Sequence, residues 1–380
     1  MPHTLPQKNK GPRVASFAHR VVIWQQQHGR HSLPWQGADA YRVWLSEVML
    51  QQTQVKTATP YYLRFVARFP TIRALASSSE EDVLTHWSGL GCYSRARNLH
   101  RAAQQIMQRH KGVFPSSFED MVALPGVGRS TAGAISAFAF HERRAILDGN
   151  VKRVLARHYA IEGHAGDKKA EGLLWERAEE LLPRHRVAIY TQGLIDLGAL
   201  VCKRSRPQCP ACPLQASCVA HQNQWVARLP TPRPRKALPE RHATLVLLLN
   251  GSKILLERRH GGGIWGGLWC PPQIDSLLPG EVGNLVAHCL GHLNVVATHE
   301  LSLPTFTHTF THFRLHITPV ILRAARAQKS IKSNGAQGSS VAWLDIDAAL
   351  HAAIPTPVQK LLQWLQARMT NPIMTCSTSA

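Results

Sequence analysis

The sequence predicts a two-part protein, an all-α region followed by an α+β region, and three observations predict it. Up to about Ala220 the apolar residues recur at helical spacing. Residues 224–240, QWVARLPTPRPRKALPE, break that pattern with four prolines and four basic residues. Beyond the break the apolar residues fall into short runs bounded by turn residues. The length of 380 residues fits two or three domains, and a hydrophobic content of 44% can fill their cores, which excludes global disorder. The longest apolar run lies around Leu245 to Leu249, far short of the roughly 20 residues a membrane span needs. The opening MPHTLPQKNKGPR is polar, so no secretory signal is expected.

Within the first part, Tyr41 to Val55 carries Val43, Trp44, Val48, Leu50 and Val55 at helical rather than alternating spacing. Ser79-Glu80-Glu81-Asp82 supplies a cap and an acidic first turn ahead of Val83, Leu84 and Trp87. Leu99 to Met107 and Leu173 to Leu182 read similarly, with Pro70, Pro115 and Pro183 between segments. In the second part, His242 to Leu249, the turn Asn250-Gly251 and Lys253 to Arg258 predict strand, turn, strand. Thr307 to Ile317 alternates as one strand, with His308, Phe310, His312, Arg314 and His316 on one face. Pro357 to Met369 predicts an amphipathic helix. There is no internal repeat. The division is therefore 1–223 helical, 224–240 linker, 241–370 α+β, and 371–380 a flexible tail.

The 44 Lys+Arg exceed the 23 Asp+Glu by 21 charges, which makes a polyanion, nucleic acid by default, the expected partner. Four of the eight cysteines lie in one window, Cys202-x6-Cys209-x2-Cys212-x5-Cys218. Clustered thiols in a chain without a signal point to a metal centre rather than disulfides. Thiolates suit an iron–sulfur cluster or zinc, and chemistry alone leaves both open. Cys92, Cys270, Cys289 and Cys376 are scattered packing or surface residues.

Leu124-Pro125-Gly126-Val127-Gly128-Arg129-Ser130 separates two helical segments. Two glycines around one apolar residue permit a tight turn with outward backbone N–H groups, and the next helix adds its positive dipole end for phosphate. Asp148, ahead of the run Val151 to Val154, suits a helix cap, the usual fate of an isolated Asp. A Glu on an amphipathic helix is usually a surface residue. However, Glu47 has Trp44, Val48 and Leu50 as sequence neighbours, and burial among them would raise its pKa.

These features occur together. The glycine hairpin and the cysteine spacing resemble the helix–hairpin–helix and [4Fe–4S] loop of the endonuclease III superfamily of DNA glycosylases. The stretch WLSEVMLQQTQV at 44–55 resembles the adenine DNA glycosylases of the MutY type, as do Leu33-Pro34-Trp35, Gly89-Leu90-Gly91 and Arg95-Ala96-Arg97-Asn98-Leu99-His100. The resemblance covers most of residues 15–365 and implies a helix–hairpin–helix glycosylase domain with an iron–sulfur loop, followed by an α+β Nudix-like domain. It implies one [4Fe–4S] cluster on Cys202, Cys209, Cys212 and Cys218, structural rather than reactive. It implies Glu47 as the general acid for a flipped adenine, and Asp148 as the ionised stabiliser of the oxocarbenium-like sugar, with Asn150 orienting groups around it. Gly126, Val127 and Gly128 would grip DNA; Gln52, Thr53 and Leu90 would meet it near the mispair. Bifunctional members carry a lysine where this chain has Ser130, and a hydroxyl cannot form a Schiff base.

In the second domain, Gly262 to Trp269 resembles the Nudix-like Gly/Trp turn, but Pro279 to Val295 holds one acid, Glu281, so metal-dependent hydrolysis is not expected. Phe310-Thr311-His312 resembles the family's element that meets 8-oxoguanine. A shared zinc for His308, His312 and His316 is disfavoured by their spread along a strand. Cys92 stands where the resemblance implies a wedging tyrosine, and a thiol is too small to stack, so lesion discrimination is expected to be weaker or to be compensated by another residue. The expected activity is monofunctional removal of adenine opposite 8-oxoguanine or guanine in double-stranded DNA. The enzyme is expected to be a bacterial, cytoplasmic, nucleoid-associated monomer with no membrane partner and no readable protein-partner motif. The alternative is an endonuclease III-like bifunctional lyase. Ser130 and the extra domain disfavour it. Intact Glu47 and Asp148 disfavour a catalytically silent binder.

Overall fold

Helix starts follow from local chemistry. Ser16, Asp39, Thr71, Ser79, Ser117, Asp148 and Asp167 each place a side-chain oxygen on a backbone N–H of the first turn. That satisfies donors which have no partner inside the helix. The computed structural model describes residues 16–370 apart from 165, 234–236, 261, 275–281 and 326–340. Arg235, Lys236, Glu281, Cys376 and the 371–380 tail lie outside the described residues.

The chain gathers into two compact units that do not follow chain order. One takes Met1–Gln52 and Arg109–Arg235, the other Thr53–Gln108 and Lys236–Ala380. In the first unit, helices Phe17–His28, Arg129–Ala139, Gly149–His158, Lys168–Glu180 and Val187–Asp196 bury a common core that includes Val21, Trp24, Val151, Leu155, Tyr190 and Leu194. A π-helical turn, Leu197–Val201, leads into the cysteine loop. Helix Ala40–Leu50 runs beside Arg129–Ala139, with Trp44 fully buried against Phe114.

In the second unit, helices Val55–Arg68, Ile72–Ser77, Glu80–Trp87 and Ser94–Arg109 pack around Phe65, Phe69, Trp87, Leu99 and Ile106. They share the unit with a sheet of β1 (Glu240–Asn250), β2 (Lys253–Arg258), β3 (Trp269–Cys270), β4 (Gln273–Ile274), β5 (Ala297–Ser302), β6 (Phe306–Thr309), β7 (Arg314–Ala324) and β8 (Val341–Asp345). The main order is β3-β2-β1-β7-β5; β4 pairs with β1, β6 with β7 and β8 with β2. The β1–β7 pair is parallel and the others antiparallel. Helices Val282–Leu293, Ile346–His351 and Thr356–Thr370 complete the unit. Tyr93 donates to the Ile354 carbonyl (3.1 Å), Arg97 to that of Gly266 (2.6 Å) and the Trp269 indole to Glu81 (2.7 Å), tying helices to sheet.

Three expectations change. The helical run does not continue from Tyr41 to Val55. It ends at Leu50, Gln52 adopts a left-handed φ of 59°, and a new helix starts at Val55. Periodicity alone cannot see this break, because the apolar spacing holds across it. Thr307 to Ile317 is not one strand but two, β6 and β7, joined by a turn over 310–313 in which Phe310 N–H donates to the Phe313 carbonyl (2.9 Å). Alternation survived on both arms, which hid the reversal. The linker is not all solvated: Leu229 is buried, and its carbonyl accepts from Arg157 Nε (2.8 Å).

Candidate active site

Glu47 sits mid-helix between fully buried Trp44 and Leu45 and buried Val48. Burial first, and the negative charge of Asp148 second, push its carboxyl up to about 8. The residue itself is only half-buried, so the shift reflects a desolvated carboxyl on a residue still open to solvent at one side.

Asp148 occupies the start of helix Gly149–His158. One carboxylate oxygen accepts from Val151 N–H (2.7 Å) and the other from the Asn150 side chain (3.1 Å). Burial raises its pKa too, but these hydrogen bonds and the Arg153 charge oppose the rise. Glu47 has no such opposition among its causes. Burial therefore acts unopposed on Glu47 but opposed on Asp148. The cap reading of Asp148 holds: its carboxylate accepts from Val151 N–H in the first turn.

Arg153 braces this arrangement. It donates to Asn150 Oδ1 (2.9 Å), to the Cys202 carbonyl (2.6 Å) and to the Gly198 carbonyl (2.6 Å). One turn on, Arg157 donates to the carbonyls of Lys203 (2.7 Å) and Arg204 (3.2 Å) and lies 3.4 Å from Cys202 Sγ. Gly198 is needed here, because an added Cβ would fall 2.5 Å from Asn150 Cβ. Arg153 is thus a structural brace and not a free phosphate contact. Similarly Lys152 pairs with Glu171 (2.6 Å), and Arg129 pairs with Glu179 and covers the Trp175 ring.

Ser130 Oγ accepts from Leu147 N–H (3.0 Å), immediately before Asp148. In the hairpin, Gly126 has a φ of 80°, Val127 is buried, and Gly126 and Gly128 are exposed. The Gln51 amide reaches the Gly126 carbonyl (3.4 Å) and Thr131 Oγ1 (3.3 Å), linking the Glu47 helix to the hairpin. Gln52 is exposed at the break that follows. A cavity of about 570 Å³ lies in the same unit, lined by Trp35, Gln36, Val43, Phe138, His141 and Gln192 among others. Val43 is one turn before Glu47 on the same helix face.

The four cysteines of the 202–218 loop are half-buried free thiols; burial first, and neighbouring thiols after it, push up Cys209, Cys212 and Cys218, with Cys212 reaching about 11. Among the described residues, no three Cys, His, Asp or Glu side chains converge on a single ion. Four thiols are a soft donor set, which suits an iron–sulfur cluster or zinc.

The second unit holds the remaining candidates. Thr53 accepts from Arg95 Nη2 (3.2 Å), and the Leu90 carbonyl does likewise (3.2 Å) with its side chain buried. Cys92 is exposed in a left-handed conformation (φ 48°), while Tyr93 turns inward. Half-buried Phe310 stacks on Phe313 (4.7 Å), meets His308 edge-on (4.7 Å), and leaves Thr311 and His312 exposed at the turn.

Residues 45–180 match the model of the HhH-GPD superfamily base excision DNA repair proteins, and 243–364 match a NUDIX domain. An adenine DNA glycosylase of Buchnera aphidicola subsp. Acyrthosiphon pisum is 37% identical over 91% of this chain and 97% of its own. The human adenine DNA glycosylase is 31% identical over 95% of this chain and 76% of its own; that of Mus musculus is 31% identical over 92% and 78%.

The chain belongs to the adenine DNA glycosylases.

For an adenine DNA glycosylase, the residues that sequence reading missed are those that act through tertiary contact. Arg153 and Arg157 brace helix Gly149–His158 against the cysteine loop, and Gln36 and Gln192 line the cavity beside Trp35. Only the spacing Asn150-x2-Arg153-x3-Arg157, on one helix face, hinted at a shared job. Among the described residues, no helix is long and apolar enough to cross a membrane.

Proposed function

We propose that this glycosylase is monofunctional and removes adenine paired with 8-oxoguanine or guanine, by general acid catalysis from Glu47. The observation that carries the reading is the unlike setting of two interacting acids: Glu47 is pushed up to about 8 by burial and the Asp148 charge, whereas the burial that raises Asp148 is opposed by hydrogen bonds from Val151 and Asn150 and by the Arg153 charge. Adenine leaves poorly as an anion. Glu47 donates its proton to the base as the C1′–N9 bond breaks. Asp148 stabilises the positive sugar, and Asn150 keeps its carboxylate aimed. Water then bonds to C1′ and returns a proton to Glu47, leaving free adenine and an abasic site. The cavity with Trp35, Gln36 and Gln192 offers aromatic faces and amides suited to a planar purine turned out of the stack.

Ser130 supplies no amine, so strand scission by β-elimination is not part of the cycle. Cys202, Cys209, Cys212 and Cys218 would hold the [4Fe–4S] cluster, whose contribution when bound is to fix the loop that Arg153 and Arg157 grip. Gly126–Gly128 and Gln52 contact the duplex from the first unit. Thr53, Leu90, Cys92 and the Phe310–His312 turn serve lesion reading in the second. A helical glycosylase domain over residues 1–223, a Nudix-like domain over 241–370, and a monomeric, cytoplasmic enzyme acting at the nucleoid complete the proposal. Incubation with an A:8-oxoG duplex, with and without hot alkali, tests it. Breaks only after alkali are expected; breaks without alkali indicate a lyase, and none in either arm a silent binder.

A further inference from the structure

The cations beside the hairpin are occupied by internal partners, as Arg129, Lys152 and Arg153 show. Among the described residues, a different group meets no carboxylate and stays exposed. Helix Arg129–Ala139 begins at the hairpin and ends 11 residues later, about 16 Å away. The loop that follows carries His141, Arg143 and Arg144. Arg143 donates to the Leu182 carbonyl (2.8 Å), which pins this loop to the segment before helix Val187–Asp196. That segment is Arg184-His185-Arg186, three consecutive exposed residues. Arg186 adopts a left-handed conformation (φ 59°, ψ 36°), uncommon for a long side chain. It heads its helix without a side-chain cap.

Among the described residues, no carboxylate pairs with Arg143, Arg184 or Arg186. Glu142 pairs at 3.8 Å with Arg144, whose guanidinium also covers the Phe118 ring. The two stapled loops thus present three exposed arginines without a carboxylate partner and two exposed histidines. A protein interface needs aromatic or apolar anchors at its centre. The exposed residues here, His141, Arg143, Arg184, His185 and Arg186, include no such anchor. Phosphate backbone asks only for cations and N–H donors.

We propose that the Arg143–Arg184–Arg186 cluster is a second phosphate-binding surface, separate from the hairpin, that takes DNA backbone without reading sequence. It rests on the hairpin being the primary DNA contact. The phosphates come from further along the bound duplex or from a second duplex, and the test separates the two. The triple variant Arg143→Ala/Arg184→Ala/Arg186→Ala is compared with the corresponding triple Lys variant and wild type, after melting curves establish folding. The measurements are affinity for undamaged 15- and 40-base-pair duplexes across a salt series, and the rate at which a labelled duplex transfers to unlabelled competitor DNA.

The Ala variant should lose on the order of 10-fold or more in affinity, with a salt slope shallower by about 2–3, while Lys restores both. Loss confined to the 40-base-pair duplex assigns the surface to the same duplex. Slower competitor-dependent transfer with equal affinities assigns it to a second one. Excision within a saturating 15-base-pair A:8-oxoG duplex stays at the wild-type rate. An unchanged salt slope together with unchanged transfer would overturn the proposal. So would equal losses in the Ala and Lys variants, which signal altered folding. Failure of wild type to excise at all would instead count against the glycosylase reading.

Discussion

The acid pair of the first unit and the 310–313 turn of the second solve different problems. Glu47 is set by burial, and Asp148 by burial and by hydrogen bonds that run through Asn150 to Arg153, which ties them to the cysteine loop. The Phe310 ring is held by stacking and edge contacts with Phe313 and His308, with Thr311 and His312 exposed. Protonation states are set by solvent exclusion and nearby charge, so chemistry belongs where side chains cannot move. Reading a base needs an accessible face, so recognition belongs on a turn.

The comparison breaks most sharply at Glu47. Glu47→Gln should lower single-turnover excision by about 10²–10⁴-fold while leaving affinity for the mispaired duplex near wild type. A variant with more than a tenth of wild-type rate would remove Glu47 from the mechanism. In wild type the rate should fall as pH rises through about 8, where Glu47 loses its proton, and fall again on the acid side as Asp148 gains one. A flat profile between pH 6 and 9.5 would contradict this. Stability carries the same sign. The folded state holds the Glu47 proton more tightly than the unfolded chain, so this contribution is lost as pH rises through about 8. The melting-temperature advantage of Glu47→Gln over wild type should therefore grow from pH 6 to pH 9.

A smaller loss is expected at the recognition turn. Phe310→Ala should cost about 1–3 kcal/mol of preference for A:8-oxoG over A:G, with excision from A:G little changed. Equal losses on both substrates would place Phe310 in general binding. Cys92→Tyr should raise the same preference by no more than that range, read from the ratio of rates on the two duplexes. Smallest is Ser130→Ala, which leaves Leu147 N–H without its hydroxyl acceptor and should cost about 1 kcal/mol of stability in a denaturant titration.

Much of this was legible without coordinates because it is local. Glycines at 126 and 128, an Asp ahead of a helix, four cysteines at fixed spacing and Ser130 in place of an amine are statements about neighbours in the chain. What escaped was set by distant contacts. The break at Gln52 and the reversal at 310–313 both preserve apolar periodicity, so no pattern along the chain marks them.

Charge shows the same limit. An excess of 21 positive charges predicts a polyanionic partner, and the family membership agrees. It does not say which cations are free. Arg153 spends its donors on carbonyls up to 49 residues away, and Arg129 and Lys152 find carboxylates 50 and 19 residues on. The sequence by itself determined which chemical groups exist and which sit side by side along a helix. Only the tertiary structure decided which of them lose water, which meet an opposite charge and which stay exposed. Desolvation and Coulomb attraction depend on distance in space, not along the chain.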